Sequence, residues 1–146
     1  MLNHVKVYEW MSSPVITITP GTLMHTAQRL MKEHHIRRLV VVRGDEIAGI
    51  VTLGDIREAM PSDATTLSVW EINTLLAKLT VDKIMTRPVI TVRDDETLFD
   101  AAQVMLERKI GGLPVLSAQG DLVGILTESD IFRMVIKLHT EELAEA

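Results

Sequence analysis

Two stretches hold the residues best suited to chemistry: Gly124-Ile125-Leu126-Thr127-Glu128-Ser129-Asp130-Ile131 and, upstream, Gly49-Ile50-Val51-Thr52-Leu53-Gly54-Asp55-Ile56. In each, an apolar run ends in Thr, two variable residues come next, and Asp precedes an apolar residue that opens a helical pattern. This is a strand running into a helix N-terminus, where backbone N–H groups lack intrahelical partners and the helix dipole favours negative charge. A phosphate or a polar ligand edge fits such a place. The Thr hydroxyl can donate or accept, and an ionised Asp offers two acceptor oxygens suited to neighbouring hydroxyls such as those of a ribose. Either residue is also an ordinary helix cap. One copy reads as a cap; two copies inside a longer repeat shift the balance toward a paired site.

The elements that position these residues repeat as well. A shift of 74 aligns Met11 with Met85, Pro14 with Pro88, Val15-Ile16-Thr17 with Val89-Ile90-Thr91, Ala27 with Ala101, Met31 with Met105 and Ile36 with Ile110. After the next turn the shift becomes 75, so the second copy carries one extra turn residue. Pro14 to Thr19 and Pro88 to Val92 are β-branched runs and predict strands. Pro20-Gly21-Thr22 and Asp94-Asp95-Glu96 come next as turns with N-cap candidates, the acidic set suiting a first helical turn. Met24, Ala27, Leu30 and Met31, like Leu98, Ala101, Val104 and Met105, keep the spacing of one buried helical face. Leu39 to Val42 and Leu113 to Leu116 predict covered strands. Hairpin turns at Arg43 to Glu46 and Ser117 to Asp121 lead into return strands Ile47 to Thr52 and Leu122 to Thr127. The fold class is α/β, two β-α-β-β-α units. The repeat divides the chain into a first unit over 1–60, a connector with a short helix over 61–80, and a second unit with a C-terminal helical extension over 81–146. In the connector, Ser68-Val69-Trp70-Glu71 has capping-box spacing, with Leu67 and Ile72 as staple, and predicts a helix from Val69 to about Leu79. Trp70, Leu75, Leu76 and Leu79 are expected to pack on the module. The last helix should reach about Leu138, with Glu141 to Ala146 frayed.

Composition narrows the function. The 146 residues, 47% hydrophobic, suffice for a core. A net charge of -5 disfavours a nucleic-acid partner, since general phosphate-backbone binders carry a basic face, but leaves small nucleotides open. With no Cys there is neither a disulfide framework nor thiolate chemistry, and a cytoplasmic location is expected. Met1 to Trp10 lacks a signal-peptide core and no apolar run approaches membrane-spanning length, so no membrane partner is expected. Eight Met against two Phe and one Tyr suggest an adaptable core. His34 and His35, adjacent on a helix, would point apart, and no acid cluster joins them, so no metal site is expected. No Ser-His-Asp set, carboxylate pair or Gly-rich phosphate loop stands beside a plausible cleft, so no catalytic residue is assigned.

Two tandem units, each with Met-Thr/Ser-x-Pro-Val-Ile-Thr before a helix and Gly-Ile-x-Thr-x-x-Asp-Ile at its end, resemble a tandem pair of CBS domains, the module named after cystathionine β-synthase. The resemblance spans roughly Val5 to Ile136. The Ser-Val-Trp-Glu-Ile-Asn-x-Leu-Leu connector is also similar to stand-alone members of the acetoin-utilisation type. The resemblance implies two units related by a pseudo-two-fold axis, packed through their sheets, with clefts that hold adenosine-containing ligands: AMP, ADP, ATP or S-adenosylmethionine. It implies that the motif Asp binds ribose hydroxyls, and that each cleft is completed crosswise. Thr127, Asp130 and Ile125 would then work with Ser12, Pro14, Val15, Ile36, Arg37 and Arg38. Thr52, Asp55 and Ile50 would work with Thr86, Pro88, Val89, Ile110 and Gly111. Family members often carry a basic pair before the second strand that binds phosphate. Here Ile36-Arg37-Arg38 contrasts with Ile110-Gly111-Gly112, and arginine is the better phosphate fork, so the Asp130 cleft is the favoured nucleotide site. Glu128, an acid where phosphate would approach, is a complication; Leu53 is its counterpart. The expected function is regulatory ligand sensing with no obligatory cofactor, in a homodimer built helix to helix that acts on a protein target. The alternative is a ligand-free interaction or oligomerisation module whose Thr and Asp only cap helices.

Overall fold

The computed structural model describes residues 2–61 and 66–145. A short 3-10 turn at Leu2–His4 leads into α1 (Val7–Trp10), and then the first repeat: β1 (Thr17–Ile18), α2 (Met24–Glu33), β2 (Arg38–Arg43), β3 (Glu46–Thr52) and α3 (Leu53–Ala59). The connector helix α4 (Val69–Ala77) and a 3-10 turn at Val81–Lys83 precede the second repeat: β4 (Val92–Arg93), α5 (Leu98–Arg108), β5 (Gly112–Leu116), β6 (Leu122–Thr127) and α6 (Glu128–Glu145). Each repeat makes one three-stranded sheet, ordered β1-β2-β3 or β4-β5-β6. Its first pair is parallel and its second antiparallel. The parallel pair results from a helical crossover, the antiparallel pair from a tight turn. Gly44 (φ +62°) and Gly120 (φ +88°) supply the left-handed residue each hairpin needs.

The repeat along the sequence and the compact units are apportioned differently. One unit is Ile16–Val89; the other joins Met1–Val15 to Ile90–Ala146. We call them the Asp55 unit and the Asp130 unit. Each is finished by a strap from outside its own repeat. In the Asp130 unit, Ser12 N–H donates to Ile125 O at 2.8 Å and Ile125 N–H donates back at 3.0 Å. In the Asp55 unit, Thr86 and Ile50 exchange the same two bonds at 2.8 and 3.1 Å. The strap thus pairs with the outer edge of β6 or β3 and covers strand groups that would otherwise face solvent unpaired. Glycine makes room for it: a Cβ at Gly124 would stand 2.5 Å from Met11 Sδ and 3.1 Å from Ser12 O, and one at Gly49 would stand 2.6 Å from Met85 Sδ.

Each unit has its own core. Met24, Ala27, Leu39, Val51, Ile56 and Val81 close that of the Asp55 unit. Val7, Leu98, Ala101, Leu113, Leu126 and Met134 close that of the Asp130 unit. Burial of a side chain of this size stabilises by about 1.5–3 kcal/mol. Pro114 sits in the middle strand without weakening it, because β4 pairs only with Val115 and Leu116 and its ladder never reaches Pro114.

Several expectations need correction. The first strands are shorter than Pro14 to Thr19 and Pro88 to Val92, because only two residues of each pair with the next strand, and Pro has no N–H to offer. Thr22 does not cap α2: it closes a turn by accepting the Thr19 N–H, and Leu23 takes the cap position without a side-chain bond. The acids 94–96 close a turn too. Glu96 accepts from Arg93 N–H, Asp95 pairs with Arg93, and Thr97 caps α5 through the Asp100 N–H. Connector helix α4 ends at Ala77, and while Leu76 and Leu79 pack on the core, Trp70 and Leu75 stay 75% and 60% exposed. His34 and His35 lie past the end of α2, His35 at φ +54°, not on the helix. The C-terminal stretch, expected to fray, continues α6 to Glu145, with Lys137 and Glu141 paired one turn apart. The run from Pro61 to Thr66 reads from sequence as a loop, and its residues 62–65 lie outside the described residues.

Candidate functional site

The two Thr-x-x-Asp junctions sit where β3 enters α3 and where β6 enters α6. At the first, Thr52 Oγ1 accepts the Asp55 N–H at 3.0 Å while Asp55 Oδ2 accepts the Thr52 N–H at 2.9 Å. This reciprocal box satisfies two N–H groups at the helix start. The other Asp55 oxygen, Oδ1, lies 3.5 Å from the Thr86 hydroxyl. Asp55 is half-buried.

The second junction is deeper. Asp130 is 0% exposed, and is the buried charged residue among the described ones. Its Oδ2 accepts from the Thr127 N–H at 2.8 Å and from the Thr127 hydroxyl at 3.2 Å. Its Oδ1 accepts from the Ser12 hydroxyl at 3.1 Å and from the Arg133 guanidinium. A buried carboxylate persists only with such partners.

The N–H of the first residue of each helix is engaged by its own unit. Leu53 N–H donates to Arg37 O at 2.8 Å, and Glu128 N–H donates to Gly111 O at 3.2 Å. A ligand handle at these junctions is therefore carboxylate and hydroxyl more than bare helix N-terminus.

Within single units, the structure brings Ser12 and Ile125 together with Thr127 and Asp130, and Thr86 and Ile50 together with Thr52 and Asp55. Pro14 and Val15 continue the strap of the Asp130 unit, Pro88 and Val89 that of the Asp55 unit. Ile36, Arg37 and Arg38 belong to the Asp55 unit, Arg37 exposed and Arg38 half-buried; Ile110 and Gly111 belong to the Asp130 unit. Sequence reading missed Arg133. Its only signal is spacing: a cation three residues after the motif Asp on a helix faces it. The strap contacts of Met11 on Gly124 and Met85 on Gly49 were also missed, although all four residues stand in the repeat.

Other features of these units bear on the site. A hydrogen bond from Thr80 holds the Asp82 carboxyl below the usual carboxylate range, at the base of the strap that carries Thr86. Between α5 and α6 a hollow of about 520 Å³ is lined mainly by Met105, Leu106, Ile131 and Phe132. Among the described residues no group of three or more His, Cys, Asp or Glu could hold a metal ion, and no helix is long and apolar enough to cross a membrane.

Comparison with known proteins matches the CBS domain family model at residues 7–62 and 81–137. A CBS domain-containing protein of Dictyostelium discoideum is 33% identical, with 92% of this chain matching 93% of that one. An inosine-5'-monophosphate dehydrogenase of Korarchaeum cryptofilum is 38% identical over 81% of this chain, but the match spans only 22% of the enzyme. Among solved structures, the CBS domain pair of protein MJ0100, in complex with 5'-methylthioadenosine and S-adenosyl-L-methionine, has TM-score 0.74 and 30% identity, covering 90% of this chain and 95% of that one. Arabidopsis thaliana CBSX2 in complex with AMP has TM-score 0.73 and 28% identity, covering 92% and 98%. A Vibrio cholerae protein attributed to acetoin utilization has TM-score 0.77 and 29% identity, covering 97% of each chain. With both halves matched, and both carrying the strap and the Thr-x-x-Asp junction, the chain belongs to the CBS domain family, as a tandem pair.

Proposed function

We propose that this chain is a regulatory ligand-sensing module that takes an adenosine-containing small molecule at its Thr-x-x-Asp junctions, the Asp accepting ribose hydroxyls. One observation carries the reading: a strap hydroxyl, a motif hydroxyl and a carboxylate are gathered at both junctions. The adenosine ligands of MJ0100 and CBSX2 support it. AMP, ADP, ATP and S-adenosylmethionine are the ligands to test. The phosphate role of Arg37 and Arg38, with Ile36 beside them, rests on the family resemblance, as do the parts given to Pro14, Val15, Pro88, Val89, Ile110 and Gly111. On that reading the Asp130 junction is the one for phosphate-bearing ligands. Ligand would act by population shift, favouring one arrangement of the protein over another and so altering what a target protein meets. A cytoplasmic setting belongs to the same proposal.

Isothermal titration of Asp130→Ala and Asp55→Ala with AMP and ATP tests the ranking. Asp130→Ala should weaken binding more, and the reverse order overturns it. A thermal-shift panel of AMP, ADP, ATP, NAD and S-adenosylmethionine tests the class, because a ligand bound only by the folded state raises the melting temperature. No response to any of them favours the rival reading, a ligand-free assembly module.

Self-association is part of the proposal. Leu106 (81% exposed), Phe132, Val135 and Ile136 leave apolar surface on α5 and α6, which a second copy would cover. Leu106→Glu should turn a dimer into a monomer by light scattering; an unchanged mass removes this face from the interface.

A further inference from the structure

We propose that Arg133 gates the Asp130 junction: its guanidinium holds the carboxylate oxygen a ribose needs, so an uncharged adenosine compound fills the Asp55 junction first. The inference rests on the function proposed above and adds a difference between the two sites that the motif alone does not contain.

An ionised carboxylate accepts at about four lone-pair positions. At Asp130 four donors are in place: the Thr127 N–H and hydroxyl on Oδ2, the Ser12 hydroxyl and Arg133 on Oδ1. A vicinal diol arriving there finds no vacancy until a donor leaves. At Asp55, Oδ2 holds the Thr52 N–H, and the contact to Oδ1, 3.5 Å from the Thr86 hydroxyl, is at the limit of a hydrogen bond. The residue three positions on is Glu58, an acid that cannot donate to a carboxylate when ionised. Asp55 therefore meets a diol with an oxygen open.

Of the four donors at Asp130, Arg133 is the one built to leave. The Thr127 and Ser12 hydroxyls sit on short side chains whose backbone is held, by the strand-to-helix turn and by two bonds to Ile125, so neither residue can move away from the carboxylate. The Arg133 side chain is 57% exposed on a long flexible stem. The pair is half-buried, its carboxylate end sealed and its guanidinium end in solvent, so the guanidinium can swing out to water and salt screens the pair in part. Ligand affinity at the junction is reduced by the fraction of time the gate stands closed. A phosphate-bearing ligand offers the displaced guanidinium a new anionic partner. An uncharged nucleoside offers none, so the gate discriminates against it.

The test is isothermal titration of the full chain with 5'-methylthioadenosine and with AMP, using wild type, Asp55→Ala, Arg133→Met and the double variant Arg133→Met/Asp130→Ala, each confirmed folded by its melting transition. Wild type should bind 5'-methylthioadenosine tightly at one junction and weakly at the other, and Asp55→Ala should remove the tight site and leave the weak one at Asp130. Arg133→Met should add a second equivalent, bound at least about fivefold more tightly than at the same junction in wild type, and the double variant should lose it. AMP should gain less than 5'-methylthioadenosine from Arg133→Met. If Arg133→Met misfolds, the salt response of the wild type serves instead. Raising NaCl to about 0.5 M should modestly strengthen 5'-methylthioadenosine binding at the Asp130 junction in Asp55→Ala, since the ligand is uncharged and the solvent-facing guanidinium end of the pair is screened. Binding to wild type with no gain in Arg133→Met, or weaker binding, overturns the gate alone. Silence of every protein toward both ligands overturns the functional reading and the gate with it.

Discussion

The Asp55 and Asp130 junctions share motif, sheet topology and strap, yet one carboxylate is half-buried with an oxygen nearly open and the other is sealed by four donors. The motif places the carboxylate. The helix residue three positions further on, Glu58 in one unit and Arg133 in the other, sets how available that carboxylate is. Hydroxyl direction differs as well: Thr52 spends its oxygen on the Asp55 N–H, whereas Thr127 turns its hydroxyl onto Asp130. Two copies of one sequence pattern are thus two different acceptors.

The comparison can be broken first at the straps. Gly124→Ala should cost about 2–3 kcal/mol and Gly49→Ala about 1–2 kcal/mol in urea denaturation, the range of overpacked sites. A Cβ at Gly124 would meet the Ser12 backbone as well as Met11, while the three atoms nearest to one at Gly49 all belong to the flexible Met85 side chain. Equal losses would mean that the strap backbone yields freely in both units.

Next comes the carboxylate itself. Asp130→Ala should destabilise by about 2 kcal/mol and Asp55→Ala by about 1 kcal/mol, the first stranding several donors around a buried site and the second losing one arm of a cap. Matching values would show that depth of burial does not separate the junctions. The smallest effect lies at the helices preceding the middle strands. Thr97→Ala should cost about 1 kcal/mol, because Thr97 caps α5. The start of α2 has no such bond to lose at Leu23, its Met24 N–H being held by Leu79 O at 2.8 Å. A thermal melt that leaves Thr97→Ala unchanged would erase this difference between the repeats.

Most of the architecture is written in local signals. Near-continuous apolar runs mark β2 and β5, and the hairpin turns that follow them mark the return strands β3 and β6; three-and-four spacing marks α2 and α5; the repeat itself tells that there are two units. Legibility fails where partners are distant in sequence. Thr22 looks like a cap, but whether it caps depends on the turn it closes with Thr19. Trp70 looks like a core residue, yet α4 turns Leu76 inward and leaves Trp70 outside. The tail reads as frayed from its acids, while the Lys137–Glu141 pair and the Lys137 cation set 5.6 Å from the Trp10 ring help hold that end of α6. At the junctions, Thr and Asp were legible because spacing alone brings them together. Arg133 was not, because its meaning depends on how deeply Asp130 is buried.

The exchanged straps also set a timetable. Thr86 closes on Asp55 across 31 positions of chain, whereas Ser12 must find Asp130 across 118. Synthesis runs from the N-terminus, and pairings distant in sequence form late. The Asp55 unit has every segment it needs once Val89 has left the ribosome, while residues 1–15 wait, already made, for β6 and α6 to emerge. A nascent chain stalled after Val89 has emerged but before α6 has would therefore hold one finished unit, with residues 1–15 still unclaimed.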